Sequence, residues 1–337
     1  MTPVTPKAPT RSAAKGRARP ARKSAPDAAS PPQPITVLRA RSLAQSRWLV
    51  HGFSTRLGGT SKAYGGDALN LAFIPGDSRA AVLRNRKRFL AAVIGQTPAS
   101  GHSRRRLPLD FPLITLKQVH SSRVHVIDSD VEADANRPLT GDGLITAMPG
   151  VMLAIQTADC VPVLVADKRR RVIAAFHAGW RGTAARVVEK GIGVMRAHFG
   201  CRTQDLVAAI GPCIRSCCYS VGPEVVEEFT SQFEYAAALF HDVYDLDPIK
   251  RKYPMLFLTA RAPGHSNLGP QTHLDLVEAN RRQLLAAGMP LRNIEEMAYC
   301  TACRTDLLFS HRAEAGYAGR MLAVIGIKPP AAAERRR

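Results

Sequence analysis

The stretch that most constrains the fold runs from Gly150 to Thr183, GVMLAIQTADCVPVLVADKRRRVIAAFHAGWRGT. It holds three short apolar runs separated by turn residues, the pattern of buried strands rather than of helices. The first run ends in Thr157-Ala158-Asp159-Cys160, and the second spans Val161 to Ala166. A basic turn follows, and the third run, Val172 to Phe176, delivers His177 into a glycine-rich turn. Strands laid side by side can bring Cys160 and His177 face to face, although 17 residues separate them. Such a pair can ligate a metal, or it can act as a thiolate nucleophile with an imidazole base.

The rest of the chain surrounds this stretch with alternating short elements. Strands are expected from Trp48 to Arg56, Leu113 to Leu116, Val124 to Ile127, Leu206 to Ile210, Met297 to Thr301 and Met321 to Ile327. Helices are expected from Ser78 to Val93, Ala184 to Phe199, Pro223 to Phe229 and Asp275 to Ala287, with Ser78 as an N-cap. The helix after Trp180 would begin beside His177, where free N–H groups attract an anion. Antiparallel-looking strands with separated helices fit a single α+β domain with buried mixed sheets over residues 35–328. Residues 97–109 read as a basic surface loop, 230–270 as irregular, and 329–337 as a flexible C-terminal tail.

Residues 1–34 have almost no bulky apolar side chain and are expected to be a disordered, basic, Pro/Ala-rich tail. They contain Lys7, Arg11, Lys15, Arg17, Arg19, Arg22 and Lys23 against Asp27 alone. The tail therefore carries +6 of the formal +20, leaving +14 on the body. A basic body suits anionic ligands, and the tail suits weak non-specific contact with nucleic acid. No zinc-finger spacing or basic zipper supports sequence-specific binding. With no apolar run of membrane length and no signal-peptide h-region, the expected location is the cytoplasm. Seven cysteines, an odd number, read as reduced thiols rather than a disulfide framework.

Seven motifs occur in order: HGFSTRLGG at 51–59, LKQVHSSRVHVID at 116–128, TADCVPVLVAD at 157–167, HAGWRGT at 177–183, AAIGPCI at 208–214, CYSVGPEV at 218–225 and CTACRTDLLFSHR at 300–312. Together they resemble the laccase-domain family, also called multicopper-polyphenol-oxidase-like proteins, peptidoglycan-editing factors or purine nucleoside phosphorylases. The resemblance covers roughly residues 48–327. It implies a four-layer α/β/β/α domain related to a cysteine hydrolase fold. It also implies a zinc held by His120, Cys160 and His177, which would be the catalytic residues.

Two imidazoles and one thiolate are a familiar catalytic zinc set, leaving a fourth position for water or substrate. Copper is possible as a substitute by affinity order. Arg56, Asn70 and Arg181 are candidates for holding phosphate or ribose, since guanidinium groups bind phosphate oxygens bidentately. Asp159 is expected either to orient a ligand histidine or to close its turn. His51, His125 and His311 are expected in hydrogen-bonded core roles rather than as ligands. Cys213, Cys217, Cys218, Cys300 and Cys303 are either inert thiols or a second metal site.

The resemblance implies a zinc-dependent purine nucleoside phosphorylase. It would convert adenosine, inosine and S-methyl-5'-thioadenosine to free base plus ribose 1-phosphate, with adenosine deaminase activity. One alternative is a cysteine hydrolase acting on peptidoglycan precursors with Cys160 and His177. Another is a copper-dependent polyphenol oxidase, against which stands the absence of any H-x-H pair in the chain.

Overall fold

The computed structural model describes residues 33–95, 111–129, 139–243 and 271–329. The expected tail before residue 33, the loop at 97–109, most of 230–270 and the end beyond residue 329 lie outside the described residues.

The strands are β1 (Val37–Leu38), β2 (Leu49–Ser54), β3 (Leu113–Ile114), β4 (Leu116–Lys117), β5 (Val124–Ile127), β6 (Leu139–Thr140), β7 (Gly143–Thr146), β8 (Met152–Thr157), β9 (Val161–Asp167), β10 (Ile173–Ala178), β11 (Leu206–Ile210), β12 (Phe240–Val243), β13 (Gln271–Leu274), β14 (Ile294–Glu296) and β15 (Met321–Ile327). The helices are α1 (Arg41–Ala44), α2 (Arg79–Ile94), α3 (Trp180–Ala184), α4 (Val187–Phe199), α5 (Pro223–Gln232) and α6 (Leu276–Ala286). One sheet has the order β1-β2-β15-β8-β3, and a second has the order β14-β11-β9-β10-β7-β5. Both are mixed, since β3 pairs parallel with β8, β14 with β11 and β5 with β7, while the other pairs are antiparallel. Two small pairs, β4 with β6 and β12 with β13, lie outside them.

The layering follows from side-chain alternation along strands buried on both faces. In β8, Leu153 and Ile155 point into a core between the sheets, and Met152 and Ala154 into a core under α2. In β15, Ala323, Ile325 and Ile327 join the first core, Leu322 and Val324 the second. In β10, Ile173 and Ala175 face the inter-sheet core, whereas Ala174, Phe176 and Ala178 face α4 and α6. The result is helix, sheet, sheet, helix, the expected four layers in a single mixed domain. No helix among the described residues is long and apolar enough to cross a membrane.

Several local expectations hold. Ser78 caps α2 by accepting the Ala81 N–H at 3.1 Å, and Gly95 ends it in the left-handed region at φ 81°. Three expectations change. The expected 184–199 helix is broken by Arg186, whose φ of 60° is uncommon for a non-glycine residue and carries no sequence signal. The helix beside His177 is therefore the five-residue α3, and the long helix begins at Val187. The helix start expected to attract an anion is thus that of the short α3, capped by no side chain at Gly179. The expected strand at 113–116 is split into β3 and β4. The expected strand at 297–301 is a turn touching its neighbour through the Cys213–Cys300 bridge, with β14 lying just before it.

Candidate functional site

The central stretch folds as its pattern dictates. β9 and β10 pair antiparallel with His177 opposite Pro162. Cys160, just before β9, then lies beside His177. His120 arrives from the turn after β4, with its backbone left-handed at φ 58°. One ligand atom from each of His120, Cys160 and His177 lies within 4.8 Å of the others. Cys160 Sγ is 3.7 Å from His120 Nε2, and the two imidazoles meet edge to face at 4.9 Å between ring centres.

One carboxylate organises this cluster. His177 Nδ1 donates to Asp142 Oδ1 at 2.8 Å, which fixes the tautomer and leaves Nε2 for Cys160. The same carboxylate accepts the backbone N–H groups of Val119, His120 and Ser121 and the Ser121 hydroxyl, at 2.6–3.3 Å. The left-handed turn carrying His120 is thus pinned by Asp142, which is fully buried. Burial works against ionisation of Asp142, but His177 and Ser121 outweigh it and hold the carboxyl near 2. Burial likewise opposes the Cys160 thiolate, yet the His177 charge and hydrogen bonds from both imidazoles bring its pKa down to about 6. His177 rises to about 9, the Cys160 thiolate and Asp142 outweighing its burial. Without a metal the cluster is a thiolate–imidazolium pair.

The donor set fits a metal. Two imidazoles and a low-pKa thiolate converge, and a buried carboxylate fixes one imidazole from behind, as in carboxylate–histidine–metal triads. Close approach depends on Gly179, where a Cβ would sit 2.7 Å from His120 Cδ2 and 3.0 Å from Cys160 Sγ. His120, Cys160 and His177 therefore form a possible metal site.

The cluster lines a cavity of about 400 Å³, within the range of small-molecule sites. Lys117, Gln118, Gln156, His311 and Arg320 contribute polar groups to its wall, and Ile74 and Leu116 apolar ones. The Gln118 side-chain amide holds the Gln156 backbone at both ends, donating Nε2–H to Gln156 O and accepting the Gln156 N–H at Oε1, each at 2.8 Å.

The other expected site residues lie elsewhere. Arg56 donates to Thr305 O at 2.7 Å, pairs with Glu314 at 3.0 Å and covers the Phe309 ring. Asn70 is buried, donates to Asp77 and accepts the Arg320 N–H at 2.9 Å. Both residues brace segments that carry cavity residues, Arg56 the one bearing His311 and Asn70 the one bearing Arg320. Arg181 is exposed and stacks on Trp180. Asp159 touches no histidine of the cluster; it accepts from Thr301 Oγ1 at 2.6 Å and from the Arg312 N–H at 2.7 Å. Orienting a ligand histidine thus falls to Asp142, and Asp159 closes its turn. His51 accepts the Ala40 N–H and His125 meets Thr140 O, both structural roles. His311 departs from that expectation by facing the cavity.

Residues 50–328 match the profile of the family described as multi-copper polyphenol oxidoreductase laccase. The chain belongs to this family. It is 34% identical over 285 residues to the purine nucleoside phosphorylase YlmD of Geobacillus stearothermophilus, covering 82% of this chain and 89% of that one. It is 35% identical over 205 residues to adenosine deaminase RL5 of an unknown prokaryotic organism, covering 59% and 69%. In structure it is similar to the Bacillus licheniformis hypothetical protein YfiH, with a TM-score of 0.69 at 29% identity, covering 89% of this chain and 98% of that one. Enzymes acting on purine nucleosides thus stand among this chain's relatives.

Proposed function

We propose that the chain is a zinc-dependent purine nucleoside phosphorylase, cleaving adenosine, inosine and S-methyl-5'-thioadenosine, with adenosine deaminase activity. The observation that carries the reading is the His120–Cys160–His177 cluster at the wall of a cavity that also presents Lys117, Arg320 and His311. The names of the relatives support the substrate class.

His120, Cys160 and His177 would hold the zinc, which supplies Lewis-acid polarisation of a substrate or water oxygen. The His₂Cys set suits zinc, and copper would bind as a substitute. Asp142 keeps Nε2 of His177 turned toward the cluster. Lys117 and Arg320 hold phosphate through charge-assisted hydrogen bonds. In phosphorolysis the glycosidic bond breaks, phosphate oxygen bonds to C1′, and the base leaves with a proton. On this reading His311, in the cavity wall, would hand over that proton. In deamination a water oxygen would bond to C6 in the same cavity, the C6–N bond would break, and the amino group would leave as ammonia, giving inosine.

The test is metal content with turnover. Adenosine is followed with and without phosphate by the full chain and by His120→Ala, Cys160→Ala and His177→Ala. Adenine formed only with phosphate, lost in all three variants along with one zinc equivalent, is the expected result. Inosine without adenine would restrict the chemistry to deamination.

A second reading rests on the Cys160–His177–Asp142 line, which repeats the nucleophile–base–orienter order of cysteine hydrolases. A zinc-held thiolate is a poor nucleophile, so the two roles exclude each other. Full activity of the chelated protein on a peptide or peptidoglycan-precursor substrate, with no nucleoside turnover, would establish this reading and sink the first.

A further inference from the structure

Outside the cavity, the described residues hold one other group of metal-ligating side chains. Cys217, Cys218, Cys300 and Cys303 bring their four sulfurs within 4.8 Å of one another. They come from two turns 82 residues apart in sequence, counting from Cys218 to Cys300. Cys303 Sγ lies 3.5 Å from Cys217 Sγ and 3.3 Å from Cys218 Sγ. All four cysteines are free.

We infer that these four cysteines form a second, structural zinc site that clamps the turn after β11 to the turn after β14.

Convergence rather than pairing supports this. A disulfide joins two sulfurs at about 2.05 Å and would leave the other two aside. Here Cys303 approaches two sulfurs almost equally, and all four share one small volume. A tetrahedral zinc with Zn–S of about 2.3 Å sets its sulfurs about 3.8 Å apart, and the observed separations need only small rotations to reach that spacing. The Cys300-x-x-Cys303 turn has the shape of a metal knuckle, in which backbone N–H groups point at the sulfurs. The N–H groups of Arg215 and Cys303 do so toward Cys300. Four thiolates on one zinc carry a net charge of −2. Arg215 and Arg304 flank the two turns in sequence, and their guanidinium groups pair with Glu296 at 3.7 Å and with Asp306 at 2.9 Å. Cys213, the remaining cysteine of the region, stays out of the cluster and is buried in the helix-side core.

The position gives the clamp a purpose. Cys213 and Tyr299 join the two turns by backbone hydrogen bonds, as do Thr301 and Cys213. Ile214 N donates to Asp159 O, and Thr301 Oγ1 donates to the Asp159 carboxylate. Asp159 itself is held at φ 91° and precedes Cys160. A zinc on the four sulfurs therefore braces the strained turn that presents Cys160.

The test counts metal in the full chain purified under a phosphine reductant. In a His120→Ala/Cys160→Ala double variant the cavity site is dismantled and the four-cysteine cluster is intact. This variant is expected to retain one zinc per chain. Adding Cys303→Ser, or separately the exposed Cys217→Ser, should remove it. Cobalt exchanged into the double variant should give intense thiolate-to-metal charge-transfer absorption, lost with Cys303→Ser. Chelator should lower the melting temperature of the double variant and leave that of the Cys303→Ser form unchanged. No zinc in the double variant, with Cys217, Cys218, Cys300 and Cys303 all alkylated at the rate of free thiols, would overturn the proposal. Because the double variant keeps all four cysteines, a folding failure of the serine variants does not shield the proposal.

Discussion

The Asp142 carboxylate accepts a hydrogen bond from His177 Nδ1 at 2.8 Å and, through the same Oδ1, the backbone N–H of His120 at 3.0 Å. One buried carboxylate thereby sets the tautomer of one histidine and the backbone of the other. Asp142→Asn keeps the size of the side chain but offers an N–H where an acceptor is needed. The expected outcome is a zinc affinity lower by about 10- to 100-fold at the cavity site, the usual scale for losing such a partner. Competition with a chromophoric chelator measures it, and unchanged affinity in a folded variant would remove Asp142 from this role.

The cluster's electrostatics predict a reactive thiol once metal is removed. The Cys160 pKa of about 6 means that its thiolate is already formed at neutral pH. Iodoacetamide labelling of chelated protein should rise through a midpoint near pH 6, whereas an ordinary thiol would respond above pH 8. Zinc should suppress the labelling. Peptide mapping of Cys160 across pH 5–9 gives the curve, and a midpoint above 8 would show that His177 does not carry the charge assigned to it.

How much of this was readable from sequence depends on the range of the interaction. Cys160 precedes and His177 closes strands whose apolar runs were plain, and β9–β10 pairing followed from their adjacency. His120 came through its motif. Asp142 was missed in favour of Asp159, the carboxylate beside the ligand in sequence. Which carboxylate reaches His177 is settled by the pairing of β7 with β10, where Gly143 lies opposite Phe176, and no local pattern encodes that. Lys117, His311 and Arg320 converge from three separate segments. Among 47 lysines and arginines, nothing local distinguished the two that line the cavity. The choice of Arg56 and Asn70 found residues of the right region but of the supporting layer behind it. The buried mixed sheets were legible because the central strands β8, β9, β10, β11 and β15 are apolar runs, whereas the four-layer order came with the family resemblance. The break at Arg186 was not, since left-handed arginine has no compositional mark.

Gly179 offers a steric test. Its φ of −70° suits any residue, so Gly179→Ala brings no backbone strain. Its Cβ would nevertheless intrude on His120 and Cys160 at 2.7 and 3.0 Å. The ligands must then separate, and turnover should fall on the order of 100-fold, the scale for a misplacement near 1 Å. Thermal unfolding of the metal-free protein should change little. Wild-type turnover in Gly179→Ala would mean that the three side chains do not need this spacing.

The cavity wall separates residues that bind from residues that support. Lys117→Ala and Arg320→Ala each remove a cationic group that, on the proposed reading, holds phosphate. Each should raise the KM for phosphate by about 10- to 100-fold, as expected for a charge-assisted hydrogen bond worth roughly 1.5–3 kcal/mol. Zinc content and melting temperature should stay near wild type. Arg56→Ala should behave in the opposite way. It loses the Glu314 ion pair, the bond to Thr305 O and the contact with the Phe309 ring, all at a largely buried side chain. It should lower stability by about 2–4 kcal/mol and leave the KM for phosphate nearly unchanged in the folded fraction. Phosphate titrations and urea unfolding on the three variants read out both quantities. A raised KM in Arg56→Ala without lost stability would return Arg56 to the binding site and shift the phosphate position away from Lys117 and Arg320.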